Sequence, residues 1–385
     1  MKHQCVMIIA GETSGDMHGA KVVRAMRLKK RHLFFCGIGG PSLKAAGVRI
    51  LAESSTLSVV GITEIFSKAR HLLNTLSRTK NLLKSLRPDL LILIDFPDFN
   101  LNVAKTAKRL GIKILYYISP QIWAWRSGRV KQIKKRVDHI AVILPFEAQF
   151  YHKHRVPVTF VGHPLADTLP LKREIRNFKS QRQLLESSKP VIGILPGSRD
   201  HEVSEHLPVM LASAQILAKH NPGLHFVISV APSVNKQQVQ AALSESEGEA
   251  EFEIADSSIG EILDECTLVI AVSGTVTLDA AMSGTPMVII YKVSSLSYWV
   301  GRMLIKVPYI GLVNLIACKA LVPELIQNSV TANNIANEVY FMLNNPNALE
   351  RLRNDLLELR AFLGGSGASF RVAEIACKLI DEEYL

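Results

Sequence analysis

The chain has 385 residues, 48% hydrophobic and 21% charged, which excludes a disordered or fibrous protein and leaves room for two domains with separate cores. With 45 lysines and arginines against 34 acidic residues the net charge is +11, which points to anionic partners such as a phosphorylated substrate, an anionic bilayer surface or nucleic acid. The five cysteines are scattered, with no Cys-x-x-Cys pair, which argues for a reducing compartment and against a zinc site or a disulfide framework. No apolar run approaches the roughly 20 residues needed to span a bilayer, and the short run 5–10 does not read as a signal peptide. A cytoplasmic protein able to lie on a membrane is expected.

In chain order, Cys5 to Ala10 reads as a strand, followed by Gly11-Glu-Thr-Ser-Gly-Asp16 and a helix from about Met17. A strand, a loop rich in Gly and Ser and a helix N-terminus make a site for a phosphate or sugar hydroxyls. The loop is neither G-x-G-x-x-G nor a Walker loop, so it carries little dinucleotide signal. Phe34 to Gly40 is a second strand, ending in Gly37-Ile-Gly-Gly40. From Thr63 to Leu76, the residues Ile65, Phe66, Ala69, Leu72, Leu73 and Leu76 fall on one helical stripe flanked by Lys68, Arg70 and His71. Such a helix suits the interface of an anionic membrane, and equally a core helix.

Leu90 to Ile94 is an unbroken apolar run between turn formers, the pattern of a strand buried on both faces of a parallel sheet. Two carboxylates, Asp95 and Asp98, follow it. Ligands of open α/β sheets bind beyond the carboxyl ends of the strands, so chemistry is expected here. Asp95 reads equally as a helix cap; Asp98, beside Pro97, reads as functional. Strands at Lys113 to Ile118, His139 to Leu144 and Thr159 to Val161 complete the first series. Between them lies Trp123-Ala-Trp125-Arg126, then a helix whose cations Arg129, Lys131, Lys134, Lys135 and Arg136 point outward. Gly162-His163-Pro164 places a histidine after a strand, where a structural role is the expectation.

A polar span, Lys172 to Lys189, reads as the connection to a second series: Val191 to Leu195, His225 to Val230, Glu251 to Ile254, Leu268 to Val272 and Met287 to Tyr291. The βαβ alternation predicts α/β architecture with two tandem Rossmann-like domains whose parallel sheets face a cleft. The expected limits are 1–170 for the first domain, 171–188 for the connection and 189–345 for the second domain. The helices of 346–385 are expected to pack back across the boundary.

Two loops of the second series carry chemistry. In Leu195-Pro-Gly-Ser-Arg199, Gly197 and Ser198 can offer backbone N–H groups to an anion, and Arg199 adds a fork suited to a diphosphate. Ser273-Gly274-Thr275 again joins a strand to a helix N-terminus, a phosphate cradle, with Asp279 one turn on where it can reach ribose hydroxyls. Two such cradles describe a nucleoside-diphosphate site. Leu296 to Ile310 is very apolar and reads as acyl-chain contact, core or dimer packing.

Together, Ala10-Gly-Glu-Thr-Ser-Gly-Asp16, Gly37-Ile-Gly-Gly-Pro41, Val60-Gly-Ile62, Ile94-Asp-Phe-Pro-Asp-Phe-Asn100, Ser119-Pro-Gln-Ile-Trp-Ala-Trp-Arg126 and Val161-Gly-His-Pro-Leu-Ala-Asp167 resemble the lipid-A-disaccharide synthase family. So do Leu195-Pro-Gly-Ser-Arg199, Ser273-Gly-Thr275 and Leu321-Val-Pro-Glu-Leu325. The resemblance runs nearly end to end. It implies a GT-B glycosyltransferase on the cytoplasmic face of a Gram-negative inner membrane. This would join UDP-2,3-diacylglucosamine to 2,3-diacylglucosamine 1-phosphate without a metal or cofactor.

By the same resemblance Asp98 is the general base, Arg199 the diphosphate residue and Asn314, in Gly311-Leu-Val-Asn314, a further active-site residue. UDP falls to Gly197, Ser198, Arg199, Ser273, Gly274, Thr275 and Asp279, and the acceptor to Glu12, Ser14, Gly15, Asp16, Trp125 and Arg126. Ile65, Phe66, Ala69, Leu72 and Leu73 are the membrane-contacting set, and a homodimer fits both the resemblance and the apolar 296–310 stretch. The family usually carries glutamate at position 279, so the shorter Asp279 is a departure. Burial is expected to raise the pKa of Asp98. Three other readings remain: a UDP-N-acetylglucosamine 2-epimerase on the same architecture, a basic nucleic-acid binder lacking any known RNA motif, and a non-catalytic UDP-sugar sensor.

Overall fold

The structure is a computed structural model and describes residues 4–53, 65–167, 190–294 and 307–381, with side chains of 65–71 and of Trp125 outside the description. The chain divides into two compact units, Met1–Leu169 with Leu363–Leu385, and Pro170–Phe362.

The first unit alternates strands and helices: β1 Gln4–Ala10, α1 Thr13–Lys29, β2 Leu33–Gly39, α2 Pro41–Ala45, β3 Arg49–Glu53, α3 Ile65–Leu86, β4 Leu90–Ile94 and α4 Pro97–Arg109. It continues with β5 Lys113–Tyr117, α5 Ile122–Trp125, α6 Val130–Arg136, β6 His139–Val142, α7 Pro145–Lys153 and β7 Val158–Phe160. The strands form one parallel sheet in the order β3-β2-β1-β4-β5-β6-β7. Every residue of β4 is buried, as its unbroken apolar run requires when helices cover both faces.

The second unit repeats the plan: β8 Val191–Leu195, α8 Asp200–His220, β9 His225–Ser229, α9 Lys236–Ser244, β10 Phe252–Ala255, α10 Ile259–Glu265, β11 Leu268–Val272, α11 Val276–Ser283 and β12 Met287–Tyr291. Then come α12 Leu312–Ala317, β13 Glu324–Ile326, α13 Ala332–Leu343 and α14 Pro346–Phe362. Its parallel sheet runs β10-β9-β8-β11-β12-β13. The last described helix, α15 Ala368–Asp381, returns to the first unit. Its Val372, Ala373, Ala376 and Ile380 join Val22, Val23 and Met26 of α1 in one core cluster.

Strand order reverses between β1 and β4 in one sheet and between β8 and β11 in the other. At such switch points the flanking loops part and leave a crevice at the carboxyl ends. Register brings those ends level: Ala10 pairs with Ile94 and Leu195 with Ala271. The four loops singled out by sequence therefore flank the two switch points.

The apolar stripe of α3 divides. Leu72, Leu76 and Leu82 pack on the first unit's core, whereas Leu73 is 65% exposed. Leu72 is thus corrected from membrane contact to core packing, because helical spacing puts it on the sheet-facing side with buried Thr75, Thr79 and Leu83. The side chains of Ile65, Phe66 and Ala69, the Val60-Gly-Ile62 motif, the 172–189 connection and residues 295–306 lie outside the described residues. Among the described residues no helix is long and apolar enough to cross a membrane.

Candidate functional site

At the first switch point β4 ends in a sharp turn, with Asp95 at φ +46° and Phe96 at φ +47°. Two consecutive non-glycine residues in the left-handed region are costly and persist only where the surroundings hold them. Here the Tyr116 hydroxyl donates to the Asp95 carbonyl at 2.6 Å. The Asn100 amide donates to the same oxygen at 2.6 Å and to the Ile94 carbonyl at 3.1 Å. The turn throws the Phe96 ring against Gly11, where any Cβ would lie 2.5 Å from the ring's Cγ. Gly11 is therefore fixed by close approach. Pro97 then opens α4 at a position where its missing N–H costs nothing.

This turn separates two carboxylates of opposite character. Asp98, in the first turn of α4, has a side chain 74% exposed; Arg129 Nη2 lies 2.5 Å away and Arg126 Nη1 3.8 Å. The expected burial of Asp98 is thus corrected: the helix start lifts its side chain out of the sheet. Asp95 is the half-buried carboxylate, pushed up to about 6 by this burial and, secondarily, by the nearby Glu12 carboxylate. Glu12 and Ser14 are exposed at the N-terminus of α1.

Gly15 and Asp16 behave differently. Gly15 is buried, with Ile94 Cγ2 3.4 Å from where its Cβ would be. Asp16 is buried and accepts N–H groups from Gly40 at 2.6 Å, Ser42 at 2.8 Å and Leu43 at 3.2 Å. Both are corrected from acceptor contacts to supports: Gly15 is buried against Ile94, and Asp16 is buried with its carboxylate holding three backbone N–H groups at the start of α2. Trp123 donates Nε1–H to buried Glu147 at 3.1 Å, which fixes the loop that carries Arg126. His163 is buried, its Nδ1 accepts the Leu165 N–H at 3.3 Å, and burial then His18 push its pKa down to about 4. The imidazole is therefore neutral near pH 7.

The second switch point is built from backbone donors. Gly197, at φ +118°, lets the loop after β8 fold over Glu202, whose Cβ lies 2.7 Å from where a Gly197 Cβ would be. Glu202 accepts the Ser198 N–H at 2.8 Å and Arg199 Nη1 at 2.9 Å. Burial alone would raise its pKa, but Ser198 and Arg199 outweigh burial and hold it below the ordinary value. The groups predicted to bind an anion thus already hold one, the chain's own. Arg199 keeps 61% of its side chain exposed.

After β11, Gly274 and Thr275 are exposed and Ser273 half-buried. Thr277 donates to the Gly274 carbonyl at 2.7 Å, tightening the entry to α11. Burial pushes Asp279 up to about 6. Asn314 does not reach this surface. Its side chain is fully buried, donating to the Val322 carbonyl and to Glu324 Oε1, both at 2.8 Å. It also accepts the N–H groups of Leu321 at 2.8 Å and Val322 at 2.9 Å. The expected active-site residue therefore has every donor and acceptor of its amide spent on Leu321, Val322 and Glu324, with none turned toward a ligand.

Sequence reading missed Arg129 as the partner of Asp98, as well as Glu147 and Glu202, and it quoted Glu324 within Leu321-Val-Pro-Glu-Leu325 without giving it a role. Glu202 had a local signal, three residues beyond Arg199.

A family model described as lipid-A-disaccharide synthetase matches residues 6–365. The lipid-A-disaccharide synthase of Geobacter metallireducens is 45% identical over 379 residues, covering 98% of each chain, and that of Coxiella burnetii (strain Dugway 5J108-111) is 39% identical, covering 99% of this chain and all of its own. Among solved structures, the UDP-GlcNAc 2-epimerase of Neisseria meningitidis bound to UDP-GlcNAc aligns with a TM-score of 0.61 at 13% identity, over 98% of this chain and 100% of that one. The glycosyltransferase of kitacinnamycin gives 0.61 at 16%, over 98% of each. These two share the fold alone, the GT-B arrangement of parallel sheets with alternating helices. The chain belongs to the lipid-A-disaccharide synthase family.

Proposed function

We propose that the chain is an inverting glycosyltransferase. It joins UDP-2,3-diacylglucosamine to 2,3-diacylglucosamine 1-phosphate and releases the β(1→6) disaccharide 1-phosphate and UDP. The single observation that carries the reading is the exposed Asp98 carboxylate, aimed by Arg129 and Arg126 at the carboxyl end of β4, in a chain of this family.

Asp98 takes the proton from the acceptor 6-hydroxyl as its oxygen attacks the sugar C1. The bond from C1 to the UDP oxygen breaks, and the negative charge passes to the leaving diphosphate. Arg199, the Ser198 N–H and the N-terminus of α11 stabilise that charge. In this reading Glu202 is a stand-in for the diphosphate, handing Arg199 and Ser198 over when nucleotide binds. Arg126 and Arg129 also offer the acceptor phosphate a bidentate partner. The further partners are an anionic membrane surface, supported by the net charge of +11, and a second copy of the chain.

The test is UDP release from UDP-2,3-diacylglucosamine, with and without the 1-phosphate acceptor, in detergent and EDTA. Acceptor-dependent release is the expected result. Turnover of UDP-N-acetylglucosamine alone, with none of the acylated pair, would move the chain to the epimerase reading. Leu73→Ser is expected to weaken binding to anionic vesicles while the fold persists; unchanged binding would remove α3 from the membrane surface.

A further inference from the structure

The turn that opens α12 and the helix itself are tied by one carboxylate of β13. Glu324 Oε2 accepts the Ile310 N–H at 2.9 Å, and Oε1 accepts the Gly311 N–H at 3.0 Å and the Asn314 amide at 2.8 Å. Asn314 in turn is locked to Leu321 and Val322, the residues leading into the strand that carries Glu324. Gly311 is pressed close: a Cβ there would lie 2.9 Å from Glu324 Oε1 and 2.6 Å from Ile289 Cδ1. The turn so fixed presents the Ile310 carbonyl to the Ser273 hydroxyl, which donates to it at 3.5 Å. Ser273 opens the cradle before α11.

We infer that Glu324 is a positioning residue for the donor nucleotide. It sets the Ile310–Gly311 turn and, through the Ile310 carbonyl, the Ser273 side chain, and Asn314 acts by orienting this carboxylate rather than by touching substrate. The inference rests on the donor-site reading given above. It explains why an asparagine marked by the family's motif is wholly buried: its target is a carboxylate inside the protein. Glu324 needs acceptors at both ends, since each oxygen faces at least one N–H donor. Glutamine keeps the volume but puts an NH2 at one end, so one donor always meets a donor.

The experiment measures UDP affinity by calorimetry for wild type, Glu324→Gln, Ser273→Ala and the double variant. Glu324→Gln is expected to weaken UDP roughly tenfold, the scale of one lost hydrogen bond to a charged group. The double variant should weaken it by less than the product of the two single effects, because both act through one path. The KM for the acceptor should stay unchanged in Glu324→Gln. Should that variant fail to fold, Glu324→Asp, which keeps both acceptor oxygens on a shorter arm, is read in its place and should weaken UDP relative to wild type by less than about tenfold; wild-type affinity in it would overturn the inference. A variant that melts earlier but binds UDP like wild type would make Glu324 a purely structural residue, and fully multiplicative effects would break its link to Ser273. Wild-type protein that binds no UDP would overturn the donor-site reading and this inference together; normal wild-type binding with an unaffected variant overturns the inference alone.

Discussion

The two switch points share a topology but use opposite materials. The first surrounds its crevice with ionisable side chains, Glu12, Asp95 and Asp98 against Arg126 and Arg129, and holds a strained turn to do so. The second offers N–H groups and one arginine; its carboxylates Glu202 and Glu324 are occupied by donors, and Asp279 is half-buried, with its pKa pushed up to about 6 by burial. One loop set suits moving a proton, the other receiving an anion. A transferase needs both functions, and here each set of loops is built on its own parallel sheet.

The largest effect that sharpens this contrast is Asp98→Ala, expected to lower turnover by about 10²–10⁴ with UDP affinity unchanged in calorimetry. Equal loss of both would place Asp98 outside proton transfer. Next is Arg199→Ala, expected to weaken UDP by roughly 10–100-fold through loss of a charged hydrogen-bond partner, while acceptor binding persists. If the acceptor is weakened instead, the division of labour is reversed.

A pH experiment separates the two carboxylates of the first crevice. Burial gives native Asp95 a pKa of about 6 against an ordinary 3.8, so the native state holds the proton more tightly than the unfolded chain. Its contribution to stability therefore declines as pH rises from about 4 to about 6 and is flat above. Asp95→Asn should raise the melting temperature at pH 8 and leave it unchanged at pH 4. An increase at both pH values would assign the gain to the turn and not to ionisation. The smallest effect is the control: Lys319→Ala breaks an exposed 3.2 Å pair with Asp355 and should change stability by less than about 1 kcal/mol.

Much of the fold was legible because the central strands are continuous apolar runs, and β4 is buried throughout. The strands that escaped reading, β3 and β13, are edges. Arg49–Glu53 is only half-buried with exposed ends, and Glu324–Ile326 is three residues long, so neither has a periodic signal. The site was legible in position and less so in role. Asp98, Arg199 and Ser273 follow strands and could be placed by that fact. Asp16 and Asn314 look like any exposed polar residue until burial is known, and their partners Gly40 and Glu324 lie 24 and 10 residues away. Arg129 is 31 residues from Asp98, a distance that no local spacing reveals.

The place of α15 bears on how the chain is made. Residues 363–381 complete the core begun by α1, so the first unit to leave the ribosome is among the last to be finished. Roughly 190 residues separate its two pieces, and at about 5–20 residues per second they take on the order of 10–40 s to synthesise. The second unit has its whole sequence before then and can fold first. Through that interval Val22, Val23 and Met26 await the cover that α15 supplies.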